Sequence, residues 1–410
     1  MSTRSTFPRY ALTQLQAALD DTPVVLIHGS RQCGKSTLAR MAGDAYAYVT
    51  FDDAGVFAAA KRDPQGFVLG LPDRVILDEV QRVPELFVAI KLSVDSNRKN
   101  GRFILTGSSN VLLLPRLSDS LAGRMAIIQL FPLAQCELSG KASSLFDRMF
   151  ASDFTGAKGK RLGHELRKKV FAGGYPEPLL RKNPERVKRW YGDYIRSLIE
   201  RDITDISQIS KTSAIPRLLT MLANNSAQLV NINGLSNAFQ LTRPTIESYV
   251  NLLRQIFLVE FLQPWYSNRN SRLIKTPKAH LSDTGLACAV LHLTADALKS
   301  PNDLYGHLLE TFVYMELRKM ASWRSYEPRF YHFRDKDNYE VDIVIEDRSH
   351  LIGIEVKATE TVRDGDFKGL RRLQRQVGKK MKTGILFYDG AFVLPFGDGM
   401  LAVPTNLLWE

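Results

Sequence analysis

The sequence predicts an α/β fold in which helices cover both faces of a parallel sheet. In the first third of the chain, strand-like apolar segments alternate with helix-like ones, which is typical of such a fold. The strand-like segments are "PVVLIHG", "RVILDEV" and "GRFILTGSSN". The last hundred residues return to mixed helical and alternating patterns. At 410 residues the chain has room for roughly two or three domains.

The net charge and the cysteine residues of the chain indicate which binding partners and which cellular compartment to expect. The formal net charge of +12 and the pI near 9.5 favour a polyanion, with nucleic acid first, although a membrane surface or simple solubility would also suit this charge. Cys33, Cys136 and Cys288 lie far apart without metal-ligand spacing, which predicts free thiols and a cytoplasmic location. No signal peptide and no membrane-spanning run is evident, so no membrane partner is expected.

The most specific motif is "GSRQCGKS", which follows an apolar strand and precedes a helix-like segment. Gly29 and Gly34 allow backbone N–H groups to surround phosphates at a helix N-terminus. Lys35 is expected to reach the outer phosphates, Ser36 to bind Mg²⁺, and Thr37 to complete the loop. The motif therefore predicts that ATP and Mg²⁺ are the cofactors.

Polar residues at the ends of two later strands predict hydrolysis of the bound nucleotide. Asp78 ends the strand "RVILD" and is placed to hold the Mg²⁺ shell, with Glu79 beside it as a base for water. Thr106, Ser108 and Ser109 end the next strand, where Ser108 could sense the γ-phosphate or orient water. Strand-end solvation and turn formation are the alternatives for these positions.

A segment in the second half of the chain resembles a winged helix-turn-helix. It runs from residue 231 to 274, and its second helix is expected to begin at Thr242. The predicted DNA-binding residues on that helix are Arg243, Thr245 and Arg254. The stretch "YSNRNSRLIKTPK" could form a basic wing that contacts phosphates. Such modules also serve as rigid packing elements, so two alternatives stay open for this segment: contact with DNA, or a packing role only.

Two alternating strands near the C-terminus carry acids and a lysine. In "EVDIVIE" Val341, Ile343 and Ile345 share one strand face, which places Asp342 on the other. In "LIGIEVKAT" the same alternation brings Glu355 and Lys357 together, and an upstream helix offers Glu310. Asp342 and Glu355 could hold a second Mg²⁺ while Lys357 steadies a phosphodiester. A solvated hairpin is the alternative.

The first three strand-ending motifs, in this order, resemble the AAA+ ATPases, in particular a prokaryotic group with a C-terminal domain of uncharacterised function. The segments that carry the resemblance are "GSRQCGKSTLAR", "ILDEVQRVPELF", "FILTGSSNVLLL", "LAGRMAIIQLFPL", "FAGGYPEPLL" and "YIRSLIERDI". The resemblance implies that Arg124 is a finger reaching a neighbouring subunit, and hence a homo-oligomer, with a hexamer as one option. A salt-bridged Arg124 is the alternative. Arg201 would be a lid sensor or an intrahelical partner.

The C-terminal helix, strands, helix and strand resemble the PD-(D/E)xK nuclease superfamily. Glu310, Asp342, Glu355 and Lys357 stand at its key positions, although the proline of the motif's name is absent. The expected parts are a P-loop AAA+ core (1–135), a basic helical lid (136–222), a winged helix-turn-helix (223–290) and a restriction-endonuclease-like α/β domain (291–410).

Together these expectations describe an ATPase that binds and remodels DNA, with a C-terminal metal-dependent nuclease site. The alternative is a regulatory ATPase that binds a protein partner and carries an inert nuclease-like docking domain. DNA-stimulated ATP turnover separates the two hypotheses, because a protein switch should ignore DNA.

Overall fold

The structure is a computed structural model, and it describes residues 7–108, 121–203, 214–266, 276–298 and 303–410. The described chain forms two compact units. The first contains the described residues up to Leu133 together with Leu252–Leu258 and Ser322–Ser325, and the second contains the remainder. Within the described part, no helix is long and apolar enough to cross a membrane.

The first unit is built on a sheet of five parallel strands, which confirms the predicted α/β class. These are β1 (Val24–His28), β2 (Ala47–Thr50), β3 (Val75–Asp78), β4 (Phe103–Gly107) and β5 (Met125–Gln129). Their order across the sheet is β2-β3-β4-β1-β5. Leu26 of β1 pairs with Leu105 of β4 and with Ile127 of β5. Strands β1 and β4 are buried throughout, as expected of central strands covered on both faces.

Five helices pack around this sheet. They are α1 (Ala11–Asp21), α2 (Lys35–Arg40), α3 (Ala54–Arg62), α4 (Pro64–Leu69) and α5 (Leu86–Ser96). Two separate hydrophobic clusters, one containing Phe87 and Leu105 and the other Ile27 and Leu38, bury the sheet between the helices. Because all strands are parallel and β4 lies between β1 and β3, the carboxyl ends of these three strands meet at one edge.

The second unit begins with helices and continues into a large sheet. Its helices are α6 (Gln135–Ser139), α7 (Leu145–Ala151), α8 (His164–Ala172), α9 (Pro176–Leu179), α10 (Pro184–Ser197), α11 (Ala214–Asn224), α12 (Ile232–Phe239), α13 (Arg243–Gln255), α14 (Thr284–Val290), α15 (Asp303–Ala321) and α16 (Lys368–Val377), with a π-helical turn at Leu198–Ile203. Helix α13 ends in residues that belong to the first unit. Buried Asp283 links the start of α14 to the turn between α8 and α9, since its carboxylate accepts from the N–H groups of Leu286, 2.9 Å away, and Gly174, 2.7 Å away.

Nine strands form the sheet of the second unit. They are β6 (Gln228–Leu229), β7 (Val259–Pro264), β8 (Lys278–Leu281), β9 (Arg329–Arg334), β10 (Glu340–Asp347), β11 (His350–Val356), β12 (Met381–Tyr388), β13 (Leu394–Pro395) and β14 (Met400–Pro404). Their order is β13-β14-β12-β11-β10-β9-β7-β8-β6. Strands β7 and β9 pair in parallel, with Gln263 opposite Tyr331. The predicted boundary at residues 290 and 291 therefore divides segments that share one sheet.

The hairpin of β10 and β11 departs from the simple alternation that the sequence suggests. Ile343 pairs with Ile354, but a β-bulge between Val341 and Val344 shifts the pairing of β10 with β9. As a result Val341 and Val344 pack in the same hydrophobic core, which a strict period of two would forbid. Asp342 lies inside this bulge, so its direction follows from the irregular backbone.

Candidate functional site

The phosphate-loop motif joins β1 to α2 in the first unit, and its glycines meet two different backbone requirements. Gly34 has a φ of +104°, a left-handed conformation that a residue with a side chain avoids. At Gly29, an added Cβ would collide with the carbonyl oxygen of Leu130. The predicted glycine positions thus have a local physical explanation.

The loop is held from outside by a residue that sequence reasoning missed. Arg9, just before α1, donates to the carbonyl oxygens of Cys33, 2.9 Å away, and Phe131, 2.8 Å away. The Cys33 thiol in turn donates to the carbonyl oxygen of Leu130 at 3.3 Å. Because these bonds fix the loop backbone, Cys33 and Arg9 help to set the loop's shape.

Lys35 and its neighbours begin helix α2. The Lys35 ammonium is buried and donates to the carbonyl oxygens of Gly29, at 3.1 Å, and Ser30, at 3.0 Å. These acceptors are neutral, so no carboxylate in the loop competes with a phosphate for this charge. Thr37 is exposed at the first turn of α2.

Asp78, at the end of β3, accepts hydrogen bonds from three hydroxyl groups. Ser36 Oγ donates to its Oδ1 at 2.8 Å, Thr106 Oγ1 donates to the same oxygen, and Tyr48 OH donates to Oδ2 at 2.5 Å. The predicted pair of Mg²⁺ ligands, Ser36 and Asp78, therefore lies in direct contact. Tyr48 was missed because no motif marks it, and it reaches Asp78 only because β2 pairs with β3.

Glu79 stands in a strained conformation beside Asp78. Its φ is +61°, in the left-handed region that costs a non-glycine residue on the order of 1 kcal/mol or more. Its carboxylate accepts from Gln81 Nε2 at 2.5 Å and from Ser108 Oγ at 3.0 Å, and its N–H donates to Thr106 Oγ1 at 3.1 Å. These bonds aim the carboxylate at the sheet edge where β1, β3 and β4 end. Gln81 is a second residue that sequence reasoning did not include.

His28 ends β1 at this edge, whereas Arg124 precedes β5 at the opposite, amino ends of the parallel strands, where its carbonyl oxygen accepts from the N–H of Val24 at 3.3 Å. Burial, reinforced by the charge of Lys35, lowers the pKa of His28 to about 4, so this imidazole is neutral near pH 7. Arg124, the predicted finger, forms a two-bond ion pair with Asp95, with distances of 2.5 Å from Nε and 3.1 Å from Nη2. Within one chain this matches the salt-bridged alternative, and a role toward a neighbouring subunit stays a prediction.

The acid and lysine residues near the C-terminus meet in the second unit around Lys278, the last residue of the stretch that the sequence analysis predicted to be a basic wing. Lys278 of β8 places its Nζ 2.8 Å from Oε1 of Glu310 and 3.4 Å from Oδ1 of Asp342. The other carboxylate oxygen of Asp342 accepts from the N–H of Val356 at 3.0 Å. The sequence does not connect Lys278 with these acids, because it lies 32 residues before Glu310 and within the predicted winged helix-turn-helix domain (223–290). Its ammonium is buried against the carboxylates, which differs from the exposed phosphate contact predicted for the wing.

Glu355 and Lys357 form the second pair of this cluster, with 3.5 Å between Oε2 and Nζ. Burial, with the charge of Asp342, raises the pKa of both Glu310 and Glu355 above the ordinary range. Burial alone would lower the pKa of Lys278, but the charges of Glu310 and Asp342 raise it overall, so Lys278 remains an ammonium.

These residues border a cleft with a volume of about 770 Å³. Its charged and titratable lining residues are Arg167, Lys278, His307, Glu310, Arg334, Glu340, Asp342 and Lys357. Arg334 pairs with Glu340 at 2.8 Å. The cleft is large enough for a nucleotide-sized ligand, and charges of both signs alternate along its wall.

The two predicted Mg²⁺ sites differ in how well their residues fit the ion. Beside ATP, Mg²⁺ takes few protein ligands and several phosphate or water oxygens, which suits the Ser36 and Asp78 pair. In the second unit, each predicted carboxylate ligand already faces an ammonium group. Among the residues that the structure describes, no group of three or more His, Cys, Asp or Glu is arranged to hold a metal. The predicted ion on Asp342 and Glu355 is at odds with this arrangement.

The predicted DNA-contacting residues lie on one helix, α13. Arg243 is exposed and pairs with Glu247 at 2.7 Å, and Thr245 shares a 2.8 Å hydrogen bond with Thr242. Arg254 is exposed near the end of the helix. The central part of the predicted wing, 267–275, lies outside the described residues, as do Ser109 and the side chain of Arg201.

Family models match three parts of the chain. Residues 21–139 match a family described as an AAA domain. Residues 163–297 and 305–408 match two families described as domains of unknown function, DUF8612 and DUF4143. The boundaries of the first match enclose β1 to β5 and every residue of the nucleotide site except Arg9.

Several proteins resemble the whole chain. An uncharacterized protein of Mycobacterium tuberculosis is 28% identical over 401 residues, which covers 97% of this chain and 83% of that protein. An uncharacterized protein of the archaeon Methanocaldococcus jannaschii is 22% identical over 374 residues, covering 87% and 80%.

Solved structures give a weaker likeness. A Walker-type ATPase of Pyrococcus abyssi has a TM-score of 0.42 at 16% identity, covering 70% of this chain and 96% of that one. RuvB of Thermotoga maritima has a TM-score of 0.27 at 17% identity, covering 62% and 89%. These scores are too low to support a functional conclusion. The family match and the loop geometry identify residues 21–139 as a P-loop ATPase domain of the AAA type.

Proposed function

We propose that the protein hydrolyses ATP at the edge of the five-stranded sheet and couples this turnover to contact with DNA. One observation carries the hydrolytic part: Asp78 and Glu79 are held by hydroxyl and amide groups at the ends of adjacent strands, directly beside the phosphate loop. Magnesium would supply charge neutralisation on the phosphates, held by Ser36 and Asp78. Lys35 would bind phosphate, and Glu79 would take the proton of the attacking water.

A matched pair of lysine variants tests this proposal. Lys35→Ala should abolish ATP binding, because the ammonium beside the loop is removed, whereas Lys357→Ala in the second unit should leave nucleotide binding unchanged. Binding of a fluorescent ATP analogue and steady-state phosphate release measure both effects. ATP turnover at the wild-type rate in Lys35→Ala would refute the proposal.

The DNA-binding part rests on the elements around α13. The order β6, α12, α13, β7 and β8, with β7 and β8 antiparallel, supports the predicted winged helix-turn-helix. The exposed side of α13 carries Arg243, Ser248 and Arg254, whose side chains suit DNA contact. The net charge of +12 adds a sequence-independent attraction to phosphates.

DNA stimulation of ATP turnover is the test of this coupling. We expect duplex, single-stranded or branched DNA to raise turnover, and Arg243→Ala and Arg254→Ala to weaken that stimulation. Arg62→Ala, which removes an exposed arginine of α3, is the control for lost charge alone. If DNA stimulated ATP turnover equally in all three variants, α13 would not be part of the DNA interface. No response in the wild type would refute the coupling.

A second candidate function is a regulatory ATPase whose C-terminal part docks a protein without cutting nucleic acid. The sheet of β10, β11 and β12 with helices α15 and α16 supports the restriction-endonuclease-like fold. The Lys278 contacts to Glu310 and Asp342 favour an inert version of it. Under either candidate we propose a homo-oligomer in which Arg124 leaves Asp95 for a neighbouring nucleotide. Mixing Arg124→Ala with Lys35→Ala subunits tests this. If Arg124 acts between subunits, the Lys35→Ala subunit supplies its arginine to the intact phosphate loop of the Arg124→Ala subunit, and ATP turnover is partly restored. No restored turnover would contradict the role of Arg124 between subunits.

A further inference from the structure

We propose that Lys278 is the resident cation of the cleft in the second unit, standing in place of a divalent metal ion. The cleft would then bind phosphate groups of nucleic acid without a metal and would not cleave them. The metal-free part of this inference is independent of the ATPase, while the phosphate ligand rests on the proposed DNA function.

The position of Lys278 carries the inference. Its ammonium contacts one carboxylate from helix α15 and one from strand β10, at 2.8 Å from Glu310 and 3.4 Å from Asp342. Carboxylate oxygens are ligands that a divalent cation such as Mg²⁺ takes in proteins, and here they contact the ammonium group. The Lys278 side chain is only 6% exposed, and those of Glu310 and Asp342 are 9% and 14% exposed. The charge is therefore enclosed between the carboxylates.

The backbone of Lys278 is fixed by strand pairing on both sides. Within the second unit, Lys278 pairs with Leu262 of β7 and with Leu229 of β6. Because β8 lies between β6 and β7, its backbone is fixed on both sides, and the Lys278 side chain has little freedom to move away from the carboxylates. A metal ion would have to displace an ammonium that is tethered to the chain, and that displacement would leave a buried charge without its carboxylate partners.

The charge balance of the cluster agrees with this assignment. When all three carboxyl groups are ionised, Glu310, Asp342 and Glu355 carry three negative charges, and Lys278 and Lys357 offset two of them. Metal-dependent phosphate cleavage needs carboxylates that are free to bind the ion, because the ion supplies the charge stabilisation and the activated water. Carboxylates that face ammonium groups lack this capacity.

The remaining cations of the cleft suit phosphate. Arg167 and Lys357 lie on the wall of the 770 Å³ cleft, and the Lys357 side chain is 39% exposed. The partly buried Arg167 and the exposed part of Lys357 can contact a phosphodiester, since charge-assisted hydrogen bonds to phosphate are strong. Such binding should persist when metal ions are removed.

Binding of Mn²⁺ to nucleotide-free protein, followed by electron paramagnetic resonance at mildly alkaline pH, tests the assignment. Wild type should bind Mn²⁺ weakly, and Lys278→Met should bind it about tenfold more tightly or better, because the two carboxylates are released. Lys319→Met is a matched control: it also removes a buried lysine, 2.8 Å from Glu316, but frees only one carboxylate. Asp78→Ala reports any Mn²⁺ held by the phosphate loop.

Two results would overturn the assignment. One is tight Mn²⁺ binding by wild type that Asp342→Asn abolishes. The other is folded Lys278→Met, verified by circular dichroism, that gains no Mn²⁺ affinity. Should Lys278→Met fail to fold, Lys278→Gln and the wild-type measurement decide the question. In a separate arm, DNA binding by wild type should be equal in EDTA and Mg²⁺. Loss of DNA binding in EDTA would contradict the claim that the cleft binds phosphate without a metal ion, but not the assignment of Lys278 as its cation. Absence of ATP turnover would contradict only the proposed ATPase function.

Discussion

The nucleotide site and the acid–lysine cleft both combine carboxylates with a buried lysine, yet they distribute their charges in opposite ways. In the first unit, Lys35 donates to backbone carbonyls while Asp78 is held by the hydroxyls of Ser36, Thr106 and Tyr48. In the second unit, Lys278 donates directly to carboxylates. Hydroxyl groups leave the charge of a carboxylate available, whereas an ammonium group neutralises it.

This difference separates two uses of the same residue types. A neutral hydrogen bond contributes on the order of 1 kcal/mol and can be exchanged for a metal ion or phosphate. A buried ion pair is costly to break from one side, by about 3–5 kcal/mol. The first arrangement is suited to repeated cycles of binding and release, and the second to permanent structure. The following predictions test this contrast, from the largest expected effect to the smallest.

Glu79→Gln should reduce the ATP turnover rate by about 10²–10⁴-fold while ATP remains bound, because the variant loses the base for water but keeps the loop. Glu355→Gln removes the charge of a carboxylate in the cleft and should leave ATP turnover unchanged. Single-turnover hydrolysis and nucleotide retention on gel filtration measure the two outcomes. Turnover by Glu79→Gln at the wild-type rate would show that another group is the base.

Lys278→Met should lower the free energy of unfolding of the second unit by about 3–5 kcal/mol, because it leaves two buried carboxylates without their cation. The double variant Lys278→Met with Glu310→Gln should recover part of this loss, since one of those charges is removed. Hydrogen exchange of the β8 and β10 amides reports the stability of this unit. Equal exchange in wild type and Lys278→Met would mean that the ion pairs contribute little.

Lowering the pH should reduce the free energy of unfolding of the first unit, because His28 resists protonation in the folded state. Its folded-state pKa of about 4 lies below the ordinary value of 6.5, so the unfolded chain takes up the proton first as the pH falls. The stability is fully present above pH 6.5 and is lost as the pH falls toward 4, by about 3 kcal/mol in total. His28→Gln should flatten this dependence in hydrogen exchange of the β1 amides. If the pH dependence of exchange were the same in His28→Gln and wild type, groups other than His28 would cause the acid sensitivity.

Tyr48→Phe should have the smallest effect. Removing one hydroxyl from Asp78 costs on the order of 1 kcal/mol, which corresponds to an increase of about fivefold in KM for magnesium–ATP. Turnover at saturating ATP should change little, because Ser36 and Thr106 still hold Asp78. Steady-state kinetics at varied magnesium–ATP concentrations check this. A fall in kcat comparable to that of Glu79→Gln would instead place Tyr48 in the catalytic step.

Local motifs accounted for the nucleotide site because its residues are close in sequence or end neighbouring strands. The loop motif and the strand ends led to Lys35, Asp78, Glu79 and Ser108 before any tertiary contact was considered. The residues that hold them, Arg9, Tyr48 and Gln81, carry no motif and were missed. Their roles depend on which strands become neighbours, and a single sequence does not specify strand order.

In the second unit, sequence reasoning selected the acids and Lys357, but it placed Lys278 in a basic wing and did not connect it with these acids. Nor could it anticipate the bulge beside Asp342, because period-two alternation assumes a regular ladder. The sequence also gives no sign that β7 pairs with β9, because this pairing joins residues 68 positions apart, as Gln263 and Tyr331 illustrate, on either side of the predicted boundary at residues 290 and 291.

The sequence by itself determined the α/β class, the phosphate loop and the identity of its AAA-type domain, because strand periodicity and glycine-dependent backbone geometry are local properties. Only the tertiary structure decided which charges face each other. Electrostatic partners are set by three-dimensional distance in a medium of low polarity, so a lysine from a distant strand can change the chemistry that a cluster of acids supports.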